Sequence, residues 1–180
     1  MPRCKHCRTK FEPKKFNQKF CMETDDCVSS FLSDLTKQND RKWRKEKKER
    51  TERLKTRSNW MNDLQKVFNE YIRERDKGKP CISCGTSLIG KQAHASHYFS
   101  VGAYPNLRVN EDNVHNACEH CNIHLHGNHA EYSIRLPERI GQKRFNALIE
   151  SRNSHYLKLT VDEIKEMIAL YRLKIKELKK

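Results

Sequence analysis

The sequence has no long apolar run and few apolar residues of any kind. Hydrophobic residues fill 36% of its 180 positions, whereas charged residues fill 33%. No stretch approaches the roughly 18–20 apolar residues that a membrane-spanning helix needs, so no membrane partner is expected. The first thirty residues also contain no apolar core of a signal peptide. This composition favours small modules held by metal, together with solvated helices, over a single large core.

Acidic residues are scarce relative to basic ones. The chain has 37 Lys and Arg against 23 Asp and Glu, a net charge of +14, which favours a polyanionic partner such as DNA. Half of this excess lies in residues 37–57, which read as a charged helix that links modules, contacts the DNA backbone, or does both. The candidate DNA-binding residues are Arg41, Lys42, Arg44, Lys45, Lys47, Lys48 and Arg50, with Arg108 further along the chain.

Eight cysteines form two groups of four. Paired knuckles of this kind favour a reducing compartment and metal binding over disulfides. The second group consists of two C-x2-C pairs, which predict a closed four-thiolate site for structural Zn²⁺. Its ligands are Cys81, Cys84, Cys118 and Cys121.

The first cysteine group predicts a second structural zinc, in a small N-terminal finger over residues 1–30. Its ligands are Cys4, Cys7, Cys21 and Cys27, and His6 could replace one of them. The alternative is a loosely ordered basic arm with unpaired thiols. Phe11, Phe16 and Phe20 are expected to form the core of the finger rather than a base-stacking platform.

Apolar periodicity predicts helices on both sides of the second cysteine group. Residues 58–76 carry one amphipathic stripe, with Ser58 or Asn59 as its N-cap. A second helix is expected from Pro137 to about Arg152. A third begins at Thr160, where Glu163 completes a capping box. The apolar faces of all three helices are expected to pack within the protein, and a second interpretation is that they form a dimer interface.

The segment from position 94 to position 129, which contains the second pair of the second cysteine group, carries the candidate chemistry, because seven of nine histidines fall within it. Residues 92–99 and 113–117 can form strands, and a helix is expected from Cys121 onward. Two strands followed by a helix beside zinc are a ββα-metal arrangement. His97 could be a general base, Asn113 a brace between the strands, and Asn122 an oxygen ligand for a metal ion. The other histidines, His115, His120, His124, His129 and His155, are expected at the surface or on phosphates.

These residues resemble the HNH, or His-Me finger, endonucleases: Asn113 precedes Cys118 by five residues, and Asn122 follows the last zinc cysteine. With residues 71–76, the knuckle at 81–85, His97-Tyr98 and Gly127-Asn128, the chain resembles the NinG/Rap family of lambdoid phages along nearly its whole length. The resemblance implies an endonuclease for branched DNA such as Holliday junctions and D-loops. It also implies a catalytic Mg²⁺ or Mn²⁺ ion. For a phage-encoded protein it implies localisation in the cytoplasm or nucleoid of the host cell.

One position departs from the HNH pattern. The carboxylate that usually precedes the base histidine is replaced by Ser96. His94 is therefore the candidate second ligand of the catalytic metal, with His126 as a weaker third, and imidazole would favour softer ions than Mg²⁺. On a regular strand His94 and His97 have opposite parity, so both reach one ion only if the strand bends or bulges.

The sequence thus predicts a predominantly helical α+β protein. Its expected parts are an N-terminal zinc finger (1–30), a basic helix or linker (31–57), an amphipathic helix (58–80), a zinc-stabilised ββα-metal HNH module (81–136) and a helical scaffold (137–180). The predicted function is metal-dependent cleavage of branched DNA. The alternatives are a non-catalytic zinc-finger DNA-binding protein and an HNH nuclease of the restriction or homing type. A homodimer would suit two symmetric cuts.

Overall fold

Helices dominate the computed structural model, which describes residues 1–154 and 158–180, with one two-stranded antiparallel sheet. The helices and the two-stranded sheet confirm the predicted α+β, predominantly helical fold class. The chain divides into two compact units, Met1–Lys55 and Thr56–Lys180. The prediction for His155 lies outside the described residues. The elements are α1 (Asp25–Arg53), α2 (Arg57–Arg75), β1 (His94–His97), β2 (Val114–Ala117), α3 (His129–Ile140), α4 (Gln142–Ser151) and α5 (Val161–Leu178), with a 3₁₀ turn at Pro105–Leu107 and a π-helical turn at His120–His124.

The charged helix α1 starts earlier than the basic run of the sequence. Thr24 caps it by accepting a hydrogen bond from the amide of Cys27 at 3.3 Å. Asp25 and Asp26 occupy its first turn and basic residues its last, which suits the helix dipole. Cys27 is therefore both a residue of the first turn of α1 and a member of the first cysteine group.

The core of the second unit is built where α2 packs against α5. The apolar stripe of α2 is buried against Ile164, Ile168 and Ile175 of α5, and Val114 of β2 joins the same cluster. The predicted capping box of α5 is present, with Thr160 and Glu163 bonding reciprocally. The cap of α2 differs from the prediction: Thr56 accepts from the amide of Asn59, so neither Ser58 nor Asn59 is the N-cap.

Two helix predictions on the C-terminal side are wrong in their bounds. The helix expected from Pro137 begins at His129 and is divided by Gly141, whose φ of 86° ends α3 before α4 starts. The helix expected from Cys121 is only the five-residue π-helical turn. It stops because His126, Gly127 and Asn128 all have left-handed backbone conformations. In the described part of the chain, no helix is both long and apolar enough to span a bilayer.

A buried carboxylate joins the end of α2 to the sheet. Asp76 is fully buried; its oxygens accept from Arg75 at 2.8 and 3.0 Å, from Lys79 at 2.9 Å and from the amide of Asn116 at 3.2 Å. Burial alone would raise the pKa of Asp76, but the hydrogen bonds and charges of Arg75 and Lys79 outweigh it and lower the pKa to about 2. The ionised form of Asp76 therefore stabilises the junction between α2 and β2.

Replacing Asp76 with asparagine is expected to lower the free energy of unfolding at pH 7 by about 2 kcal/mol, since each unit of pKa shift corresponds to about 1.4 kcal/mol. Because the folded pKa is depressed, this contribution is complete above the ordinary carboxyl pKa and is lost as the pH falls toward 2. Urea unfolding of both proteins at pH 7 and near pH 3 measures it. Both proteins are compared at the same pH after removal of zinc, so the measured quantity is the difference between them. A difference that stays constant with pH would contradict the assignment.

Candidate functional site

The second cysteine group has the dimensions of a zinc tetrahedron. The four Sγ atoms of Cys81, Cys84, Cys118 and Cys121 lie within 4.8 Å of one another, and those of Cys84 and Cys118 are 3.8 Å apart. Four sulfurs bonded to zinc at about 2.3 Å would stand about 3.8 Å apart, far beyond a disulfide bond. The amide of Cys118 donates to the Cys81 sulfur at 3.3 Å, which stabilises negative charge there. The four residues fit a closed structural Zn²⁺.

The knuckle at Cys81 needs glycine after its second cysteine. Gly85 has a φ of 74°, and its amide donates to the Cys81 carbonyl at 3.0 Å, closing the turn. A Cβ at Gly85 would lie 3.0 Å from the guanidinium of Arg135. Backbone conformation and space thus both favour glycine at this position.

The first cysteine group has the same dimensions. The Sγ atoms of Cys4 and Cys27 are 3.8 Å apart, as are those of Cys7 and Cys21, and all four lie within 4.8 Å. A small core of aromatic rings and sulfur surrounds the group, with Phe11 and Phe20 each 4% exposed. The two four-cysteine clusters are consistent with the two predicted structural zinc ions. Nothing in the geometry requires His6 as a replacement ligand.

β1 and β2 form a regular hairpin. His94 pairs with Ala117, Ser96 with His115 and His97 with Val114, in one unbroken antiparallel register. Because side chains alternate between faces, His97 shares its face with Val114, which packs against α2 and α5. His94 and Ser96 share the opposite face with Ala117, which belongs to the core around the zinc knuckles. The bulge that would let His94 and His97 share a face is absent from this hairpin.

Asn113 holds the loop that joins the two strands. Its side chain is fully buried; Oδ1 accepts from the amide of Phe99 at 2.7 Å, and Nδ2 donates to the carbonyls of Phe99 and Leu107, both at 3.0 Å. The main-chain carbonyl of Asn113 accepts from the amide of Tyr98 at 2.8 Å. Asn113 thus fixes the backbone directly after His97, which is the geometry of a brace and not of a group that touches substrate.

Replacing Asn113 with alanine is expected to destabilise the second unit by about 3 kcal/mol, because it leaves the buried amide and carbonyl of Phe99 unpaired and removes one of the two hydrogen bonds to the Leu107 carbonyl. Asn106 is a matched control in the same loop, since its half-buried amide makes one hydrogen bond, to the carbonyl of Ser151 at 2.8 Å. Asn106→Ala is expected to cost about 1 kcal/mol. Thermal or urea unfolding measures both variants. Equal losses would mean that Asn113 is not a special brace.

His97 is half-buried at the end of β1 with a defined tautomer. Its Nε2 lies 3.0 Å from the carbonyl oxygen of Arg108. A carbonyl can only accept, so Nε2 carries the proton and Nδ1 keeps its lone pair. Burial lowers the pKa of His97, with the Arg108 carbonyl opposing and the Arg108 charge reinforcing this shift. His97 is therefore a neutral imidazole at pH 7, able to accept a proton at Nδ1.

The carbonyl that orients His97 belongs to a residue anchored on α2. The Arg108 guanidinium donates from Nε to Oε1 of Gln65 at 2.8 Å and from Nη2 to Oδ1 of Asn62 at 3.3 Å. The sequence predicts Arg108 as a DNA contact, whereas in the structure its side chain is hydrogen-bonded within the second unit. Sequence periodicity gives no indication of these two hydrogen bonds, since Asn62 and Gln65 lie outside the apolar stripe of α2.

His115 is buried, so the expectation that it lies at the surface is wrong. It is 3% exposed, and its Nδ1 lies 3.3 Å from the hydroxyl of Tyr132, which donates to the carbonyl of Ser96 at 3.0 Å. Burial, with a contribution from nearby Arg75, lowers the pKa of His115 to about 3. Tyr132, absent from the predicted site, thereby connects α3 to both strands. All four residues of β2 are buried, which its polar His115-Asn116 pair does not indicate from the sequence.

The candidate metal ligands occupy different environments. Asn122 lies half-buried in the π-helical turn, where its amide donates to the Cys118 carbonyl at 3.0 Å. Its side chain has no hydrogen-bond partner among residues 1–154 and 158–180. His94 is half-buried and His126 is exposed. Neither histidine joins a group of three His, Cys or acidic ligands in the described chain.

The remaining histidines of the described chain and the basic residues of α1 lie at the surface, and their contact with DNA stays a prediction. His120, His124 and His129 are exposed, and His129 stacks on Tyr98 with ring centroids 4.5 Å apart. The seven basic candidates on α1 are all exposed, so they are available to a polyanion.

Together these features define a mostly helical protein with a two-stranded sheet and two four-cysteine sites of zinc dimensions. The family model described as "Bacteriophage Lambda NinG protein" matches residues 1–180, and the chain belongs to that family. It is 43% identical over 126 residues to protein ninG of Escherichia phage lambda, covering 70% of this chain and 60% of that protein. Identity to protein ninG of Salmonella phage P22 is 41%, with 70% and 61% coverage. The match thus spans about three fifths of the length of these relatives. No solved structure matches the chain.

Proposed function

We propose that this protein is a metal-dependent endonuclease that hydrolyses phosphodiester bonds in branched DNA, such as Holliday junctions and D-loops. The observation that carries the proposal is the state of His97. A neutral imidazole whose Nε2 is bonded to the Arg108 carbonyl has a free Nδ1, as a general base requires. It stands on a hairpin held by Asn113 and by a four-cysteine site, so its position is rigid.

In this proposal, His97 removes a proton from the attacking water. A divalent ion, when bound, would polarise the phosphate and stabilise the leaving oxygen. Asn122 is the first candidate to hold it, because its side-chain amide has no hydrogen-bond partner among the described residues. His94 is the second candidate, but it lies on the face of the hairpin opposite His97, so it would share an ion with the site of His97 only if β1 bent when the metal bound. His126 remains a third candidate. An imidazole ligand would favour Mn²⁺ over Mg²⁺.

Several features support DNA as the substrate. The net charge is +14, and the basic residues of α1 are exposed along a helix of 29 residues. Family membership supports a role in the phage life cycle, and the resemblance to NinG/Rap proteins supports branched DNA over the targets of restriction or homing enzymes. HNH membership belongs to the same proposal. The second candidate is non-catalytic DNA binding through α1. It would not explain why His97 is held as a neutral imidazole with an unbonded Nδ1.

A nicking assay tests the proposal directly. Purified protein is incubated with a labelled four-way junction, a D-loop and a linear duplex of matched sequence, in Mn²⁺, Mg²⁺ or EDTA. We expect cleavage of the branched substrates in Mn²⁺ and none in EDTA. Equal cleavage of the linear duplex would remove the branch-specific assignment. Binding without cleavage in any metal would favour the non-catalytic alternative.

A further inference from the structure

The N-terminal unit displays one aromatic side chain almost entirely to solvent. Phe16 is 97% exposed, whereas Phe11 and Phe20 are each 4% exposed, so the expectation that Phe16 belongs to the finger core is wrong. Three lysines of the same segment, Lys14, Lys15 and Lys19, are also exposed. A single exposed apolar side chain is common on protein surfaces, so a binding role for Phe16 depends on what surrounds the ring.

The loop that carries Phe16 is held in shape by its own hydrogen bonds. The side chain of Gln18 accepts from the amide of Lys14 at 2.9 Å and donates to the Phe20 carbonyl at 2.7 Å. The amide of Gln18 donates to the Lys15 carbonyl at 3.2 Å, and Asn17 has a left-handed φ of 58°. Phe16 therefore lies at the tip of a closed turn whose base adjoins the first cysteine group.

A cavity of about 710 Å³ adjoins this turn and reaches α1 between Phe31 and Gln38. Its walls include the rings of Phe20 and Phe31 and the side chain of Leu35. Its polar groups are mixed, with three lysines, three carboxylates and several amides. One of the carboxylates, Asp34, is paired with Lys5 at 2.9 Å.

The mixed lining favours a ligand that combines an apolar face with hydrogen-bond donors. Carboxylates disfavour a phosphate inside the cavity, so a purely anionic occupant is a poor match. A nucleobase presents a flat apolar face and amino groups that can donate hydrogen bonds to carboxylate and amide oxygens. The phosphates on either side of the base can reach the lysines at the rim of the cavity. Aromatic side chains on a basic surface are how proteins stack on unpaired bases.

We propose that the Phe16 turn and its cavity bind an unpaired base of single-stranded or branched DNA, with Phe16 stacking on the base and Lys14, Lys15 and Lys19 contacting adjacent phosphates. This inference rests on the proposed function in taking DNA as the ligand. It gives the N-terminal zinc finger a specific role, namely to recognise the unpaired strand of a branched substrate.

Fluorescence anisotropy with the full chain tests this. The probes are a labelled single strand, a D-loop with an unpaired tract and a linear duplex, in EDTA-free buffer without catalytic metal. Phe16→Ala is expected to weaken binding to the first two at least fivefold, and binding to the duplex less than twofold. The matched control is Ile89→Ala, an exposed apolar residue in the second unit that is 78% exposed and should change none of the three affinities.

A second variant makes the test independent of truncation. Phe16→Trp is expected to retain affinity, and its added tryptophan fluorescence should be quenched by single-stranded DNA but not by duplex. Unchanged binding in Phe16→Ala, or equal weakening on all three probes, would overturn the inference while leaving the proposed nuclease intact. Wild-type protein that binds no DNA at all would instead overturn the proposed function.

Discussion

Replacing His97 with alanine is expected to lower the rate of junction nicking by about 10²–10⁴-fold, the usual contribution of a general base, while DNA affinity changes less than twofold. The loss follows because Nδ1 of His97 is the atom that would take the proton from water, and alanine offers no acceptor. Single-turnover nicking of a four-way junction in Mn²⁺ measures the rate, and anisotropy without the catalytic metal measures affinity. Full activity in this variant would dismiss the assignment of His97 as base.

The pH profile separates a catalytic role of His97 from a structural one. The base works only when neutral, and burial lowers the pKa of His97 below the ordinary histidine value of 6.5. The wild-type rate should therefore rise with pH through that lowered pKa and level off before pH 7. In His97→Ala the residual rate should lose this inflection. His124→Ala is a control, since His124 is exposed on the π-helical turn, and it should keep both rate and profile.

The parts of this protein that can be predicted from its sequence depend on residues that lie close together along the chain. Three of the four cysteine pairs have the C-x2-C spacing, and each needs only a local turn to bring two sulfurs to one ion. The fourth pair, Cys21 and Cys27, is separated by five residues and completes the first group. The apolar stripe of α2 and the capping box of α5 are local in the same way. Such features depend on neighbours along the chain, which the sequence displays directly.

The features that sequence reasoning missed depend on contacts between distant residues. The burial of His115 arises because α3 places Tyr132 against β2. The carbonyl that fixes His97 belongs to Arg108, which Gln65 anchors from α2. Phe16 shows the opposite error, since an aromatic ring near cysteines suggests a core position, whereas a closed turn exposes it. None of these has a periodicity in the sequence.

The strongest structural prediction concerns the zinc ions, because zinc bound to four thiolates can contribute about 10 kcal/mol or more to the folding of a small module. Cys84→Ser and Cys7→Ser form a matched pair, since each removes the exposed cysteine of its own knuckle. Elemental analysis should find two zinc ions per wild-type chain and one in either variant.

The consequences of the two losses should differ. Cys84→Ser removes zinc from the group that links residues 81–84 to the end of β2, so the hairpin carrying His97 should lose its fixed structure and nicking should disappear. Cys7→Ser leaves that group intact, so catalysis should persist. Its affinity for unpaired DNA should fall, as is also expected for Phe16→Ala. Near-ultraviolet circular dichroism reports the loss of ordered aromatic rings in the second unit. A wild-type chain with one zinc would contradict the N-terminal site, and loss of nicking in Cys7→Ser on saturating junction would contradict the separate roles of the two zinc groups.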